Sequence, residues 1–142
     1  MEEDKSDVSA PWHMWGLGVL LLLWHAMAAI DYVMTVIRYE PYLSRLPADA
    51  LAYYTAAPLW MYVMWGVSMI GGLVATVLLL MRRAIAVPVF ALAWAASVVA
   101  VGYTLVNPVP GGGNALFAGL ILLISLSILA YFYWLQKRGV LR

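Results

Sequence analysis

The chain has 142 residues, of which 65% are hydrophobic and 11% are charged, with a net charge of +1 and no cysteine. Soluble domains are roughly half apolar and a quarter charged, so this composition predicts a single integral membrane domain over residues 1–142 and excludes a water-soluble fold. The lack of cysteine excludes disulfides, thiolate metal sites and cysteine nucleophiles. The near-neutral charge gives no reason to expect nucleic acid as a partner.

Four long apolar segments predict four transmembrane helices, at roughly 13–37, 58–81, 84–106 and 115–135. A helix needs about 20 apolar residues to cross the hydrocarbon core, so the uncharged run from Ala84 to Gln136 is long enough for two helices. The sequence NPVPGGGN at 107–114 divides that run, because proline and glycine both oppose helix continuation. We therefore expect an all-α, antiparallel four-helix bundle in the membrane.

Lysine and arginine are distributed unevenly between the two ends of this predicted bundle. Only Arg38 and Arg45 lie in the loop at 38–57, and the other end carries Lys5, Arg82, Arg83, Lys137, Arg138 and Arg142. The positive-inside rule then places both termini in the cytoplasm. In the outer loop, Pro47 and Asp49 suit the first turn of a short amphipathic helix that lies along the membrane interface.

Small residues recur at four-residue spacing in the second and third spans, where they permit helices to approach closely. Lipid removes the hydrophobic drive for helix association, so close packing has to supply it. We expect this packing within one monomer, with a dimer face on the Gly72 stripe as the alternative. The residues concerned are Ser68, Gly71, Gly72, Thr76, Ala93 and Ser97.

Ionisable residues inside a span are costly and require an explanation. His25 lies well inside the first span, and we expect a neutral imidazole that hydrogen-bonds a neighbouring span. Asp31 lies nearer the outer end and shares a face with Arg38, two turns along. We expect Asp31 to face headgroups or to neutralise Arg38, with a proton- or substrate-coupled carboxylate as the alternative. The candidate partners of His25 are Ser97, Tyr103 and Ser125.

Patterns typical of catalysis, cofactors or metals are missing from the sequence. Two axial haem ligands should project from facing helices, whereas His13 and His25 belong to one span. The spans carry no Ser–His–Asp arrangement, and the glycine run at 111–113 lacks the lysine of a phosphate-binding loop. We therefore expect no enzymatic activity, no catalytic residue, no cofactor and no metal site.

Five segments together carry a family resemblance: LWHAMAAIDYVMT (23–35), LAYYTAAPLW (51–60), WGVSMIGGL (65–73), LLLMRR (78–83) and AVPVFAL (86–92). They resemble a family of small four-span bacterial inner-membrane proteins without established function, many of which carry the label "sugar transporter". The resemblance covers roughly residues 15–106 and implies a multi-pass protein of the bacterial inner membrane. His25 stands where the family has Asn. The shared residues are mostly of packing and interface types, so no sugar site is carried over.

Three functional hypotheses follow. The first is a non-catalytic accessory or stabilising subunit, in contact with membrane lipids and with a larger membrane complex. It is favoured by the short loops and the few polar groups within the spans. The second is a transporter of sugars or other small solutes that acts as a homo-oligomer. The third is a quinone- or lipid-binding protein, with an interior site among Trp24, His25, Trp65 and Trp94.

Overall fold

The computed structural model describes residues 8–111 and 115–142, and these residues form six α-helices. Four are long, namely α1 (Trp12–Val36), α4 (Leu59–Leu80), α5 (Ala86–Val106) and α6 (Ala115–Lys137). Each of the four is long and apolar enough to cross a membrane. For the described residues, the prediction of an all-α fold with four helices long and apolar enough to cross a membrane is confirmed, and each observed end of these helices lies within two residues of the predicted one.

Two short helices, α2 (Glu40–Leu43) and α3 (Ala48–Ala56), occupy the connection between α1 and α4. Pro47 directly precedes α3, and Asp49 is in its first turn. Proline is preorganised for the start of a helix and a carboxylate there complements the helix dipole, so both residues favour a start at this point. That α3 lies along the membrane interface stays a prediction.

Three of the long helices end in the same way, at a residue with positive φ. These residues are Arg38 (54°), Arg82 (57°) and Gly139 (73°). After each of them, a backbone N–H reaches back five residues to a carbonyl, as in Arg83 to Leu78 at 2.8 Å. This motif satisfies the free carbonyls of the last turn, and it reverses the chain within a few residues.

The long helices are arranged side by side, with α1 against α4, α4 against α5, and α5 against α6. Close approach depends on glycine at two of these interfaces. A Cβ added to Gly72 would lie 2.4 Å from His25 of α1, and a Cβ added to Gly71 would lie 3.1 Å from Ala93 of α5. The Gly72 stripe is thus covered by α1 of the same chain, and it is not open to a second copy.

The best-packed part of the bundle is its terminal end, where residues 8–12, 81–85 and 137–142 meet. Met14, Leu79, Phe132 and Leu135 are completely buried there. The last residues lie along the α4–α5 turn, because Arg142 donates its N–H to Arg82 O and accepts the N–H of Ala84, both at 2.7 Å. The Arg82 side chain bonds two further carbonyls, those of Val8 and Val140. The opposite end, which carries α2, α3 and the α5–α6 connection, is called the loop end below.

Candidate functional site

His25 lies near the middle of α1 and packs against α4. Its Nδ1 atom is 2.9 Å from the carbonyl oxygen of Leu21 and 3.2 Å from the hydroxyl oxygen of Thr76. The predicted partners Ser97, Tyr103 and Ser125 were wrong in this respect, because they belong to α5 and α6 whereas the ring of His25 turns toward α4. The absence of a side chain at Gly72 lets the ring approach this closely.

The hydrogen bonds of His25 assign roles to its two ring nitrogens. A carbonyl oxygen only accepts, so Nδ1 carries the proton and donates it to Leu21 O. The Thr76 hydroxyl donates to Gly72 O at 2.8 Å and therefore turns a lone pair toward Nδ1. In the neutral ring Nε2 is then an acceptor, and the neutral form is favoured because the ring is half-buried among largely apolar residues, where a charge is costly.

A small pocket of about 60 Å³ lies beside His25, where all four long helices contribute to the walls. Ser68 of α4 and Ser97 of α5 line it. Within the described part of the chain, neither hydroxyl has a hydrogen-bond partner. Three residues that line this one small space therefore each carry a polar group without a partner among the described residues, namely the hydroxyls of Ser68 and Ser97 and Nε2 of His25.

Two other polar side chains at this pocket already have partners. The indole N–H of Trp94 donates to Leu122 O at 3.2 Å, which ties α5 to α6. The hydroxyl of Ser125 donates to Ile121 O, one turn back along α6, at 2.7 Å. These groups hold the walls of the pocket in place, and their donors are not available to a ligand.

A larger apolar cleft of about 450 Å³ adjoins this pocket and separates α1 from α6. Phe90 of α5 forms its floor, and Ser125 is its polar contribution from α6. The cleft and the pocket share Trp24, His25, Phe90, Ile121 and Ser125. The remaining walls are aliphatic or aromatic, from Leu17, Leu20 and Leu21 of α1 and from Phe117, Ile124 and Ile128 of α6.

The cleft is closed at the terminal end of the bundle. There Nδ1 of His13 lies 2.6 Å from the hydroxyl of Tyr131, so α1 and α6 are joined by a hydrogen bond. Between Phe117 and Ile128 the cleft follows α6 for about 16 Å, at 1.5 Å per residue. A chain-like apolar molecule that runs parallel to the helices matches this shape.

Trp65 is not part of this site, although the sequence suggested a common interior cluster with Trp24, His25 and Trp94. Its ring stacks on Tyr54 of α3 at 5.7 Å and meets Tyr32 of α1 edge-on at 5.1 Å. The cause is α3, which folds back over the loop end of the bundle and carries Tyr54 to Trp65. Trp65 therefore belongs to an aromatic cluster that fastens α3 to the long helices.

Tyr53, next to Tyr54, has a buried hydroxyl without a hydrogen-bond partner among the described residues. Its ring lies 5.5 Å from that of Tyr54 and 6.5 Å from that of Tyr103. Burial raises the pKa of both Tyr53 and Tyr54 above the ordinary value of a phenol. Both phenols therefore stay protonated over a wider pH range, and the cluster is packed ring against ring.

Asp31 lies at the loop end of α1, where its carboxylate accepts a hydrogen bond from the hydroxyl of Tyr42 in α2. Of the two expectations for Asp31, that it neutralises Arg38 was wrong, since no ion pair joins these two described residues, and that it faces headgroups stays a prediction. Arg38 adopts the positive φ that ends α1, so it no longer continues the helical face that carries Asp31. Asp31 and His25 stay on separate parts of the molecule.

Two further cavities offer a ligand fewer polar groups without partners. One of about 340 Å³ lies between the end of α5 and the start of α6, and its hydroxyl, that of Thr104, already donates to Val101 O at 2.8 Å. The other, about 440 Å³, is a depression at the terminal end lined by Met81, Arg82, Arg83 and Arg142. The guanidinium of Arg82 is engaged by two backbone carbonyls. The pocket at His25 is the place where polar groups without partners converge.

The sequence analysis took Ser68 as a packing residue only and missed its part in this pocket, whereas Ser97 was considered both as a packing residue and as a partner of His25. The sequence did indicate a polar site inside the bundle, because one serine lies near the middle of each of three predicted spans, at positions 68, 97 and 125. Comparison of the chain with family models, with curated proteins and with solved structures finds no match. The family resemblance therefore stays an expectation, and the site has to be interpreted from its own chemistry.

Proposed function

We propose that this protein is a non-catalytic, multi-pass membrane protein that binds a lipid-soluble molecule in the cleft between α1 and α6. One observation carries the proposal: an apolar cleft of about 450 Å³ adjoins a pocket with unpaired polar groups. Ligand sites in proteins are concave, largely apolar and equipped with a few polar groups that fix orientation. This arrangement favours the quinone- or lipid-binding hypothesis over the other two.

The walls of the cleft are held apart by the fold itself, which supports a preformed site. α1 is fixed by its close packing on α4, and α6 is fixed to α5 by the bond from Trp94. The contact of His13 with Tyr131 sets the separation at the terminal end. A ligand that enters a preformed site does not have to order its walls, so less of the binding energy is lost.

The accessory-subunit hypothesis makes a different prediction for the same surface. A partner helix would fill the cleft with its own side chains, and the chain would be isolated with that partner at fixed stoichiometry. The unpaired hydroxyls of two residues that line a pocket of only about 60 Å³ favour a small molecule instead, because a helix backbone has no free hydrogen-bonding groups in its middle turns.

Within this proposal the protein resides in the bacterial inner membrane, with both termini in the cytoplasm and α3 along the outer interface. The basic residues at the terminal end support this orientation, among them Arg82, Arg83 and Lys137. The pocket at His25 then lies at the middle depth of the bilayer, and the cleft opens to the hydrocarbon. Ligands would enter sideways from the lipid.

Native mass spectrometry after mild-detergent extraction tests the proposal. We expect the wild-type chain to retain a small molecule of constant mass. Ile124→Trp fills the cleft and should abolish retention. Leu123→Trp is the matched control, because Leu123 lies on the same helix outside the cleft and is similarly exposed, 63% against 56% for Ile124.

Two results would contradict the proposal. One is equal retention by Ile124→Trp and Leu123→Trp, because retention would then not depend on the cleft. The other is a protein partner that travels with the chain at fixed stoichiometry and is lost from Ile124→Trp alone. That result would support the accessory-subunit hypothesis instead.

A further inference from the structure

Two serine hydroxyls in the long helices differ from all the other serine and threonine hydroxyls of the described helices. Those others donate to a carbonyl of their own helix, three or four residues back, and they are Thr35, Thr55, Thr76, Thr104, Ser125 and Ser127. Ser68 and Ser97 do not. Back-bonding is the default for a helical hydroxyl in an apolar medium, so the exceptions need a physical reason, and both exceptions line the pocket at His25.

From this convergence we propose that the pocket holds an uncharged hydroxyl group of a molecule whose long apolar skeleton lies in the α1–α6 cleft. The inference rests on the proposed function and names the chemical class of its ligand. Ser68 and Ser97 can each donate a hydrogen bond, and Nε2 of His25 accepts one. A ligand hydroxyl both donates and accepts, so it is the smallest group that satisfies the two kinds of partner together.

The size of the pocket restricts the headgroup. Its volume of about 60 Å³ has room for only a few water molecules, since one water needs about 10–15 Å³ of such space. A hydroxyl or hydroxymethyl group fits this space. A sugar or a phosphodiester headgroup is several times larger, so ordinary phospholipids and glycolipids cannot place their headgroups there.

The uncharged lining also restricts the headgroup of the ligand. The described residues around the pocket and the cleft include no Asp, Glu, Lys or Arg. A carboxylate, phosphate or ammonium group would therefore be buried at the bilayer centre without a counter-ion, which is strongly unfavourable. The ligand class is thus a neutral long-chain alcohol, either linear or isoprenoid, or a phenolic quinol with a long side chain.

The contact of His25 with Gly72 brings the imidazole close to Ser68. The ring edge that carries Nε2 lies against Gly72, and an added Cβ there would be 2.6 Å from Nε2. Ser68 precedes Gly72 by four residues and so lies on the same helix face. His25 and Ser68 therefore lie close to each other, and Ser97 faces them from α5.

A binding assay with matched ligands tests the inference. The delipidated chain in bicelles is titrated with a brominated long-chain alcohol, its methyl ether and the hydrocarbon of equal length, with quenching of tryptophan fluorescence as the readout. Trp24 and Trp94 line the site, so bromine near the pocket quenches them. We expect the alcohol to bind about tenfold more tightly than the ether, as one to two hydrogen bonds would provide.

Serine variants identify which hydroxyls create that preference. Ser97→Ala and Ser68→Ala should each reduce the ratio of alcohol to ether affinity to about twofold to threefold. Ser127→Ala is the matched control on α6, because Ser127 lines neither the pocket nor the cleft and its hydroxyl already donates to Leu123 O, and it should leave the ratio unchanged. A linear and an isoprenoid alcohol are compared, and the tighter one identifies the class of chain.

The possible failures can be distinguished. If alcohol and ether bind equally and neither serine variant changes their ratio, the pocket holds water and the inference about the hydroxyl is overturned, while the cleft remains a binding site. If the hydrocarbon, ether and alcohol all fail to quench above the level seen with Ile124→Phe, which narrows the cleft without adding a tryptophan, the proposed function itself is overturned.

Discussion

The two long helices that face α1 meet it in opposite ways. Against α4, glycine makes room for a bulky side chain of α1 at two positions, Gly72 with His25 and Gly66 with Tyr32. Against α6, large apolar side chains line both walls and leave a cleft of about 450 Å³. In lipid, tight contact is the principal source of helix association. The α1–α6 interface lacks such contact, so it contributes less to stability and leaves a space for a ligand.

His25 takes part in both the α1–α4 interface and the α1–α6 cleft. His25 completes the tight interface through Thr76, and it is at the same time a wall of the cleft. Its protonated nitrogen is used for structure, and its other nitrogen is left as an acceptor. Variants that affect only one interface therefore show how far packing and binding are independent.

The largest effect is expected from Gly72→Ala, which inserts a methyl group into the tight interface. The new Cβ would lie 2.4 Å from Cδ2 of His25, so α1 and α4 must separate, at about 1–3 kcal/mol of unfolding free energy. Gly119→Ala is the control, because that position has nothing within 4 Å and gains helix propensity. Steric trapping or SDS titration measures the free energy of unfolding for both variants.

The double variant His25→Ala/Gly72→Ala sharpens this test. Removing the imidazole makes room for the new methyl group, so the double variant should be more stable than the sum of the two single changes predicts. Strict additivity would show that the ring and Gly72 are not in contact, and the description of a tight α1–α4 interface would then be wrong.

A smaller effect is expected where α1 and α6 do touch. Tyr131→Phe removes the partner of His13 at 2.6 Å and should lower the free energy of unfolding by about 1 kcal/mol. It should also broaden the distance distribution between α1 and α6, measured by electron paramagnetic resonance with two spin labels. The chain has no cysteine, so two introduced cysteines are the only labelled positions.

Tyr133→Phe provides the matched control on the same helix. Tyr133 is half exposed, and its ring lies 5.2 Å from Nζ of Lys137, a contact that the phenylalanine ring preserves. We expect neither a loss of stability nor a broader distribution. Equal behaviour of the two variants would mean that the His13–Tyr131 bond does not set the width of the cleft.

The long helices were predictable because length, hydropathy and the break at 107–111 determine them. The rotation of each helix was not, since helices that are apolar all round carry no clear moment to orient them. Sequence reasoning therefore found the Gly72 stripe without the helix that covers it, and it assigned the wrong neighbour to His25. The cleft depends on the separation of α1 and α6, which no local pattern encodes.

The errors over the surroundings of Trp65 and over the partner of Asp31 have a different origin. Both have partners on α2 or α3, namely Tyr42 for Asp31 and Tyr54 for Trp65. The sequence predicted a helix in this connection but gave no means of docking it on the bundle. Contacts between a short connecting helix and the spans are tertiary, and residue spacing within one element does not report them.

The smallest effect concerns Tyr42, which fastens α2 to the loop end of α1, away from both interfaces. Its hydrogen bond to Asp31, together with burial and the nearby negative charge, raises the pKa of Tyr42 from 10.0 to about 12. Because the pKa is raised in the fold, this contact stabilises the protein below about pH 10 and is lost as the pH rises through 12.

Asp31→Asn should return the pKa of Tyr42 toward 10. The titration is measured by phenolate absorbance, and the curve of Tyr42→Phe is subtracted so that only Tyr42 contributes. Asp49→Asn changes a carboxylate in α3 that makes no such bond, and it should leave the titration unchanged. If Tyr42 already titrates near pH 10 in the unmodified chain, α2 is not held on α1 by this hydrogen bond. The interfaces of α1 with α4 and α6 would then form without the contact between Tyr42 and Asp31.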